Sequence, residues 1–325
     1  MNNTADGEKQ GLLSETVVYA ARVKNSETLK KSSSGGAFTA ISDVFLENGD
    51  AVACTVYNYQ TNQAEFRIIT TKEERSAARG SKYMQSITGD IFRQAEKWLS
   101  DNPSKKLLFV GMGCQAAGFQ KFAEIKGFRN RVTIVDIICH GVPSPVLWKK
   151  YAEMLEQKGR LTDLTFKDKR NGWNNPTAVA KVNGKEVSLS DYVRIFYNKC
   201  ALRPSCHKCP YTTTQRTTDI TIGDYWHIED KLPQFFNPMG NSLILIHTDK
   251  GKSLFELVKD RMDYCISNTK DCLQVNLERP TEMSPYRKAF WNDYHSHGIV
   301  YTVNKYGKAS CLSRLKKKLK KIIKP

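Results

Sequence analysis

The stretch KKLLFVGMGCQ, residues 105–115, decides the fold. Its apolar run predicts a buried strand that enters a glycine-bounded turn, and a helical pattern follows it. The same order recurs in RVTIVDIICHG, residues 131–141, where a second apolar strand ends at Cys-His-Gly. Two strand–turn–helix units in succession are typical of a parallel α/β sheet. If the strands are neighbours, Cys114 and Cys139 lie at the carboxyl edge of the sheet, where open α/β sheets bind ligands.

The segments on either side extend this sheet. Residues 51–71 predict a β-hairpin, because two arms rich in β-branched and aromatic residues flank a polar tip. We therefore predict an α/β fold with a mixed or parallel sheet, flanking helices, and α+β elements in a hairpin-rich N-terminal part. The predicted divisions are a flexible tail over 1–16, an N-terminal domain over 17–104, a C-terminal domain with the cysteines over 105–270, and an extension with a basic tail over 271–325.

The sequence argues against a disordered chain and against a membrane-spanning protein. The chain has 325 residues, of which 40% are hydrophobic, so it has enough apolar side chain to fold. No stretch reaches the roughly 18 uninterrupted apolar residues of a membrane-spanning helix. The polar N-terminus lacks the apolar core of a signal peptide, so we expect a cytoplasmic protein. Nine cysteines in a reducing compartment are expected to be ligands, nucleophiles or core residues rather than disulfides.

The positive charge is concentrated at the C-terminus. The net charge is +17, and residues 313–325 carry seven basic residues and no acidic one, which leaves +10 for the rest of the chain. In this tail Leu315, Leu319, Ile322 and Ile323 share one helical face, with lysines around the rest. Such a helix suits an anionic membrane surface and a peripheral position at the inner membrane face, and a solvated tail is the alternative. The body has no nucleic-acid-binding motif, so we predict no nucleic-acid partner.

Four cysteines form the strongest candidate site. Cys206 and Cys209 are spaced as C-x-x-C, and two thiolates at this spacing can bind one metal ion or one cluster. Together with Cys114 and Cys139 they could bring four thiols from three loops to one point. That set suits a structural zinc ion or a [4Fe–4S] cluster, and the presence of a single C-x-x-C favours the cluster. Cys200 could replace one member, and a core role is the alternative for each isolated cysteine.

Two polar segments are candidate cofactor loops. SSSGGAFT, residues 32–39, places small residues and backbone N–H groups at a helix start, which suits a phosphate or pyrophosphate; an ordinary N-capped loop is the alternative. GSKYMQS, residues 80–86, could hold the ring edge or phosphates of a flavin, or be an exposed turn. The candidate cofactor-binding residues are Ser33, Ser34, Gly35, Gly36, Thr39, Lys82, Tyr83, Gln85 and Ser86. The catalytic candidates, chosen by location alone, are Lys82, His140 and Asp224.

Seven motifs follow one another along the chain and together resemble a known family. They are SSSGGAFT, SKYMQS, GMGCQAAG, DIICHGVPSP, FKDKRNGW, LRPSCHKCP and DITIGDYW. They span residues 32 to about 250, roughly two thirds of the chain. In these motifs and their order, the chain is similar to the coenzyme F420 hydrogenase/dehydrogenase beta-subunit family. That family contains flavoprotein subunits of F420-reducing hydrogenases and related formate dehydrogenases.

The resemblance implies an oxidoreductase or electron-transfer protein that depends on FAD and one [4Fe–4S] cluster. The cysteines that match the family's cluster ligands are Cys114, Cys139, Cys206 and Cys209. FAD would lie near the SSSGG loop and the SKYMQS segment. The use of coenzyme F420 itself does not follow, because the family is broader than its name.

Two departures bear on what the resemblance implies. Many relatives carry a ferredoxin-like segment before the Ser/Gly loop, whereas this chain has no cysteine before Cys54. A separate electron donor, such as a ferredoxin-like protein, is therefore implied. His227 stands where relatives usually have glycine. Relatives without hydrogenase partners occur among surface-polysaccharide genes, so the alternative function is a non-catalytic or zinc-stabilised scaffold of a membrane-associated polysaccharide assembly complex.

Overall fold

The structure is a computed structural model that describes residues 12–308. The predicted basic tail at 313–325 and its membrane contact lie outside the described residues, as does Cys311. Residues 12–16, predicted to belong to a flexible tail, instead form the start of the first strand, because Leu12 pairs with Thr248 of a neighbouring strand. None of the helices within residues 12–308 combines the length and hydrophobicity of a membrane span.

The helices and strands alternate along most of the chain. The strands are β1 Leu12–Val23, β2 Ala51–Asn58, β3 Gln63–Ile69, β4 Leu107–Met112, β5 Val132–Ile137, β6 Leu161–Asp168, β7 Thr177–Val182, β8 Lys185–Ser188, β9 Ile220–Asp224, β10 Ser242–Thr248 and β11 Met262–Ser267. The helices are α1 Ser26–Lys30, α2 Ala37–Glu47, α3 Lys72–Ala78, α4 Ile91–Asp101, α5 Gly113–Ile125, α6 Pro145–Glu156, α7 Ser190–Tyr197, α8 Ile228–Lys231, α9 Asp249–Val258, α10 Val275–Glu278 and α11 Arg287–Thr302.

Eight strands form one mixed sheet in the order β11-β1-β10-β9-β5-β4-β2-β3. The central strands β9, β5, β4 and β2 are parallel, whereas β10, β1, β11 and β3 pair antiparallel with their neighbours. The predicted parallel pair is confirmed, since β4 and β5 run side by side from Leu107↔Val132 to Met112↔Ile137. Strands from both sides of residue 104 belong to this sheet. The mixed α/β fold class predicted from the sequence is therefore confirmed.

Two hairpins are present, one in each sheet. β2 and β3 pair from Val52↔Ile69 to Asn58↔Gln63, which confirms the hairpin in residues 51–71. In the second sheet, of order β6-β7-β8, the turn between β7 and β8 has Asn183 at φ 49° and Gly184 at φ 74°. Positive φ at both central residues matches the twist of the strands they join, and asparagine followed by glycine adopts it readily.

Helices cover both faces of the large sheet, which explains why β4 is apolar throughout. Leu107 and Phe109 pack in a cluster with residues of α4 and α5. Leu108 and Val110 point to the opposite face and pack with residues of α2 and α9. Because successive strand residues face opposite sides, a strand buried on both sides reads as a continuous hydrophobic run. This double layer fixes the carboxyl ends of β4, β5 and β9 at one edge.

Candidate functional site

A large cavity lies at the edge of the sheet where β4, β5 and β9 end, and we call it the carboxyl-edge cavity. Its volume is about 620 Å³, which is within the range of cofactor-binding pockets. Chain segments far apart in sequence meet around it, as the topology of an open α/β sheet requires. Its wall includes residues 32–34, 36–39, 78–84, 110–112, 137–142, 222–224, 226–227 and 274–276.

Two glycines fix the Ser/Gly loop that enters α2. A Cβ on Gly35 would lie 2.3 Å from the carbonyl oxygen of Ala21 and 2.4 Å from the amide nitrogen of Ser242, so only glycine fits. Gly36 has φ +90° and is the N-cap of α2, a backbone conformation that side chains disfavour. Gly36 lines the cavity, but Gly35 does not. The contact of Gly35 with the cofactor stays a prediction, and its observed role is close packing on the sheet.

The serines of this loop are held by hydrogen bonds to neighbouring loops. Ser34 Oγ donates to the carbonyl oxygen of Asn241 at 2.7 Å, and Ser33 Oγ accepts from the backbone N–H of Ser81 at 2.8 Å. Ser33, Ser34 and Thr39 all line the cavity. The bond between Ser33 and Ser81 joins the two predicted cofactor loops, so they form one continuous part of the wall.

A buried lysine secures the same loop from behind. Lys169 Nζ donates to the carbonyl oxygens of Leu29 at 3.0 Å, Ser34 at 2.7 Å and Met239 at 2.5 Å. The side chain is buried, and burial lowers the pKa of Lys169 to about 7. Its three N–H donors are thereby matched to three backbone acceptors. The loop is ordered by the protein itself.

The segment 80–86 divides into cavity-facing and structural residues. Lys82 lines the cavity, yet its Nζ donates to the carbonyl oxygens of Ala78 at 2.7 Å and Arg79 at 3.0 Å, at the end of α3. Burial lowers the pKa of Lys82 to about 8. Two of its three donors therefore bond backbone, and one is left for a ligand. Gln85 does not line the cavity and accepts from Arg203 at 2.5 Å, and its contact with the cofactor stays a prediction.

Tyr83 and Ser86 both line the cavity, and aromatic neighbours hold Tyr83 in place. The ring of Tyr83 stacks on those of Phe166 and Phe196, with centroids 5.0 and 4.6 Å away. Its hydroxyl lies 3.0 Å from that of Tyr197, which also lines the cavity. Burial raises the pKa of Tyr83, so the phenol stays protonated. An aromatic wall with one hydroxyl pair suits a flat ring that has polar edges.

The four predicted ligand cysteines come together, and we call this set the cysteine corner. Cys114 lies in the first turn of α5, Cys139 follows β5, and Cys206 and Cys209 lie in and just after a 3-10 turn at Pro204–Lys208. Burial first, and then Cys206, Cys114 and Cys209, raise the pKa of the Cys139 thiol to about 12. The pKa of Cys114 is likewise raised by burial, then by Cys209 and Cys206. The four thiols therefore lie near enough for the charge of one to influence another.

The turn after β5 packs directly on the C-x-x-C loop. Gly141 has φ +115°, and a Cβ there would lie 3.2 Å from Cys206 Cβ and 3.6 Å from its Sγ. The N–H of Arg203 donates to the carbonyl oxygen of Val142 at 2.9 Å. The N–H of Gly141 donates to Cys139 Sγ at 3.3 Å. These contacts fix two of the three cysteine loops against each other.

A buried ion pair supports the third loop. Arg216 Nη1 lies 2.9 Å from Asp136 Oδ2, and both side chains are almost fully buried. Burial raises the pKa of Asp136, although Arg216 opposes the shift. A Cβ on Gly113 would lie 3.3 Å from the same carboxylate oxygen and 2.9 Å from Tyr211 Cβ. The ion pair therefore lies directly beneath the start of α5 and the loop that follows Cys209.

The remaining described cysteines lie elsewhere. Cys200 is buried, its thiol faces the carbonyl oxygen of Ile195, and it does not contribute to the pKa shifts of Cys114 or Cys139. Cys54 is a buried core residue that also touches the cavity wall. Within residues 12–308, no group of three or more His, Cys, Asp and Glu side chains meets in the arrangement that one metal ion requires. In a [4Fe–4S] cluster each cysteine binds a different iron, so the sulfurs need no common centre.

The catalytic candidates His140 and Asp224 both line the cavity. Asp224 ends β9, forms an ion pair with Lys167, and accepts from Trp173 Nε1 at 2.8 Å. Burial lowers the pKa of His140, so the ring is neutral, and its Nε2 has no partner among the described residues. The ring lies 5.2 Å from that of Phe196.

Sequence reasoning missed part of the cavity wall. Lys167 lies 4.9 Å from the ring centroid of Trp226, and both residues line the cavity. They belong to the motifs FKDKRNGW and DITIGDYW. The charged and aromatic residues of these motifs could have indicated a ligand-binding wall. Gln274 and Asn276 carried no signal, because they follow the last motif. Gln274 Nε2 donates to the carbonyl oxygen of Asp224 at 3.1 Å, which closes the wall.

His227 adopts a backbone conformation that favours glycine. Its φ is 64°, in the left-handed region, and it caps the start of α8 while lining the cavity. Glycine adopts this conformation freely, whereas histidine does so at some cost. The histidine at this position places an imidazole in the cavity wall.

The fold and the site define an α/β protein with a carboxyl-edge cavity beside a four-cysteine corner. Two family models match the chain, and both describe the beta subunit of coenzyme F420 hydrogenase/dehydrogenase. The model of its N-terminal part matches residues 18–91, and the model of its C-terminal part matches residues 104–271. The chain belongs to this family, whose description is that of an oxidoreductase subunit. The resemblance drawn from the seven motifs is confirmed.

A solved structure shares the fold. It is a chain of the F420-reducing [NiFe] hydrogenase complex from Methanosarcina barkeri, in a study of xenon derivatization, with 18% identity and a TM-score of 0.53. The match covers 94% of this chain and 94% of that chain. At this identity the likeness concerns the fold. Among curated proteins, none matches the chain.

Proposed function

We propose that the protein is an electron-transferring oxidoreductase that holds FAD in the carboxyl-edge cavity and a [4Fe–4S] cluster on Cys114, Cys139, Cys206 and Cys209. The observation that carries the proposal is the convergence of four thiols from three loops next to the wall of one cavity. Cys139 belongs to both, since it is a member of the corner and lines the cavity. Two cofactors bound in this way would be neighbours.

The residues of the cysteine corner suit a cluster. After burial, the ionisable side chains that raise the pKa values of Cys114 and Cys139 are other thiols of the corner, so sulfur donors lie near both. Glycine at position 141 keeps space free beside Cys206 that a side chain would fill. Soft thiolate ligands favour iron–sulfur clusters or zinc over harder metals.

The cavity suits a flavin dinucleotide. The Ser/Gly loop supplies hydroxyls and a helix start, which suit phosphate. The aromatic surface of Tyr83 and the polar groups of Lys167 and Asp224 suit a flat ring with hydrogen-bonding edges. When bound, a flavin and an iron–sulfur cluster together supply one-electron and two-electron redox chemistry, including hydride transfer. The chain's own part is to orient the ring and restrict access of water.

The partners in this proposal are a single-electron donor and a two-electron substrate. Cys114 keeps accessible surface, so an external donor such as a ferredoxin-like protein could approach the corner there. The family's description names coenzyme F420, which makes F420 one substrate to test. A role in surface-polysaccharide synthesis at the cytoplasmic membrane face, with residues 313–325 on anionic lipid, is part of the same proposal.

Flavin reduction by an electron donor tests this function. The full chain would be reconstituted anaerobically with iron, sulfide and FAD, and flavin bleaching followed after mixing with reduced ferredoxin. We expect rapid bleaching in the wild type and in Cys265→Ser, a cysteine on β11 outside the corner. We expect slow bleaching in Cys206→Ser. Equal rates in all three proteins, or no flavin reduction in the wild type, would contradict the proposal.

A further inference from the structure

Among residues 12–308, Arg79 is a cation next to the Ser/Gly loop whose guanidinium makes no hydrogen bond or salt bridge. By contrast, Arg75 forms a 2.7 Å ion pair with Asp43, and Lys82 donates to two backbone carbonyls. The Nε of Arg79 is shielded from solvent and lacks an acceptor. A buried donor without an acceptor is costly, so a ligand that supplies one would offset that cost.

The surroundings of Arg79 point to an anion. Arg79 lines the carboxyl-edge cavity, just before the segment whose Ser81 bonds Ser33. Burial lowers the pKa of Arg79 first, and the neighbouring Arg75 lowers it further, while Asp43 is the acid that opposes them. Asp43 is already bonded to Arg75. The local balance therefore favours one additional negative charge.

The neighbouring helix start adds to this preference. α2 runs from Ala37 to Glu47, has no acidic residue in its first turn, and begins at Gly36, which has no side chain to cap it. The positive end of a helix dipole and a guanidinium then border the same part of the wall. Arginine suits phosphate in particular, because its planar fork donates two parallel hydrogen bonds.

We infer that Arg79 binds the pyrophosphate of the dinucleotide held in the carboxyl-edge cavity and so selects FAD over flavins that lack it. The inference rests on the proposed function, since it assigns the phosphate end of the same ligand. In this binding mode Arg79 does not contact the flavin ring. Loss of Arg79 therefore weakens FAD much more than riboflavin.

Flavin affinities of the anaerobic full chain test this inference. FAD and riboflavin would be titrated against the wild type, Arg79→Gln, Arg79→Lys and the control Arg67→Gln, an exposed arginine on β3 paired with Glu65. Bound flavin would be read from fluorescence quenching. We expect Arg79→Gln to weaken FAD about 10- to 100-fold, as one charge-assisted phosphate contact implies, and to leave riboflavin within about twofold. Arg79→Lys should lose less, and Arg67→Gln nothing.

The outcomes separate the inference from the proposed function. Equal weakening of FAD and riboflavin, or no change in either, overturns the assignment of Arg79 while flavin binding stands. If the wild type binds no flavin, the proposed function fails, and inorganic pyrophosphate then decides the role of Arg79. A pyrophosphate-dependent rise in the melting temperature of the wild type that Arg79→Gln abolishes supports an anion site. Its absence from the wild type overturns the inference.

Discussion

The Ser/Gly loop and the cysteine corner both border the carboxyl-edge cavity, but different forces hold them. The loop is fixed by backbone contacts, with Gly35 against the sheet and Lys169 on three carbonyls. The corner is fixed by turns and by a buried ion pair, and burial and then the neighbouring thiols raise the pKa values of Cys114 and Cys139. The loop is therefore complete without a ligand, whereas the corner gathers groups that repel one another once ionised. A metal that binds thiolates would remove this repulsion, so under the proposed function the corner is the part whose stability would depend on a cofactor.

The largest effect is expected beneath the corner. Arg216→Met leaves Asp136 buried without its partner and should lower the free energy of unfolding by about 3–5 kcal/mol. The pKa of Asp136 is already raised, and without Arg216 it rises further. A carboxyl group whose pKa is raised in the folded protein favours folding at low pH, and this contribution is lost as pH rises through that pKa. The loss of stability in Arg216→Met should therefore shrink as pH falls from neutral. Denaturant unfolding at two pH values measures this.

A double variant controls for the loss of side-chain volume. Arg216→Met combined with Asp136→Leu removes both charges, and we expect it to recover most of the lost stability. If the double variant is as unstable as the single one, packing rather than charge holds this loop.

The next effect is expected behind the Ser/Gly loop. Lys169→Met leaves the carbonyl oxygens of Leu29, Ser34 and Met239 without their donor and should cost about 3 kcal/mol of unfolding free energy. Lys185→Met, at an exposed lysine on β8, is the matched control and should be neutral. Flavin affinity should fall with Lys169→Met while iron content per folded chain stays unchanged. A loss of iron instead would show that the two regions are not held independently.

Two glycine substitutions compare the regions directly. Gly35→Ala places a Cβ against two backbone atoms that cannot move aside and should cost about 1–3 kcal/mol, with loss of flavin affinity. Gly141→Ala meets the side chains of Leu202 and Cys206 and should chiefly reduce bound iron. Gly118→Ala, inside α5 with its nearest neighbour 3.7 Å away, is the tolerated control. Flavin titration and iron analysis of the three variants would show whether each defect stays in its own region.

The smallest effect is expected away from both regions. Glu47, at the far end of α2, pairs with Arg261 and Lys72, which lower its pKa to about 2. A carboxyl group whose pKa is lowered in the folded protein stabilises the fold at pH values above its ordinary pKa. This contribution disappears as pH falls through about 4 toward 2. Because the pair is partly exposed, Glu47→Gln should cost less than about 1 kcal/mol at neutral pH and nothing in high salt. A larger loss, or altered flavin or iron content, would contradict this.

The sequence predicted the parallel core and the cysteines, because both have local signals. Apolar strands that end at glycine turns defined β4 and β5, and parallel pairing then placed Cys114 and Cys139 at one edge. Contacts between distant segments had no such signal. The close packing of Gly35 on the sheet was not predicted, because one of its partners, Ser242, is far away in sequence. The part of the wall formed by Gln274 and Asn276 was missed for the same reason.

The content of iron, sulfide and FAD in the anaerobically reconstituted chain tests the central claim most directly. The account predicts about four irons, four sulfides and one FAD per wild-type chain, with the same content in Cys265→Ser. It predicts that Cys206→Ser loses iron and sulfide but keeps FAD, since the loop and the corner are held separately. A colourless wild-type chain, or one that binds a single zinc ion in place of iron and sulfide, would contradict the account.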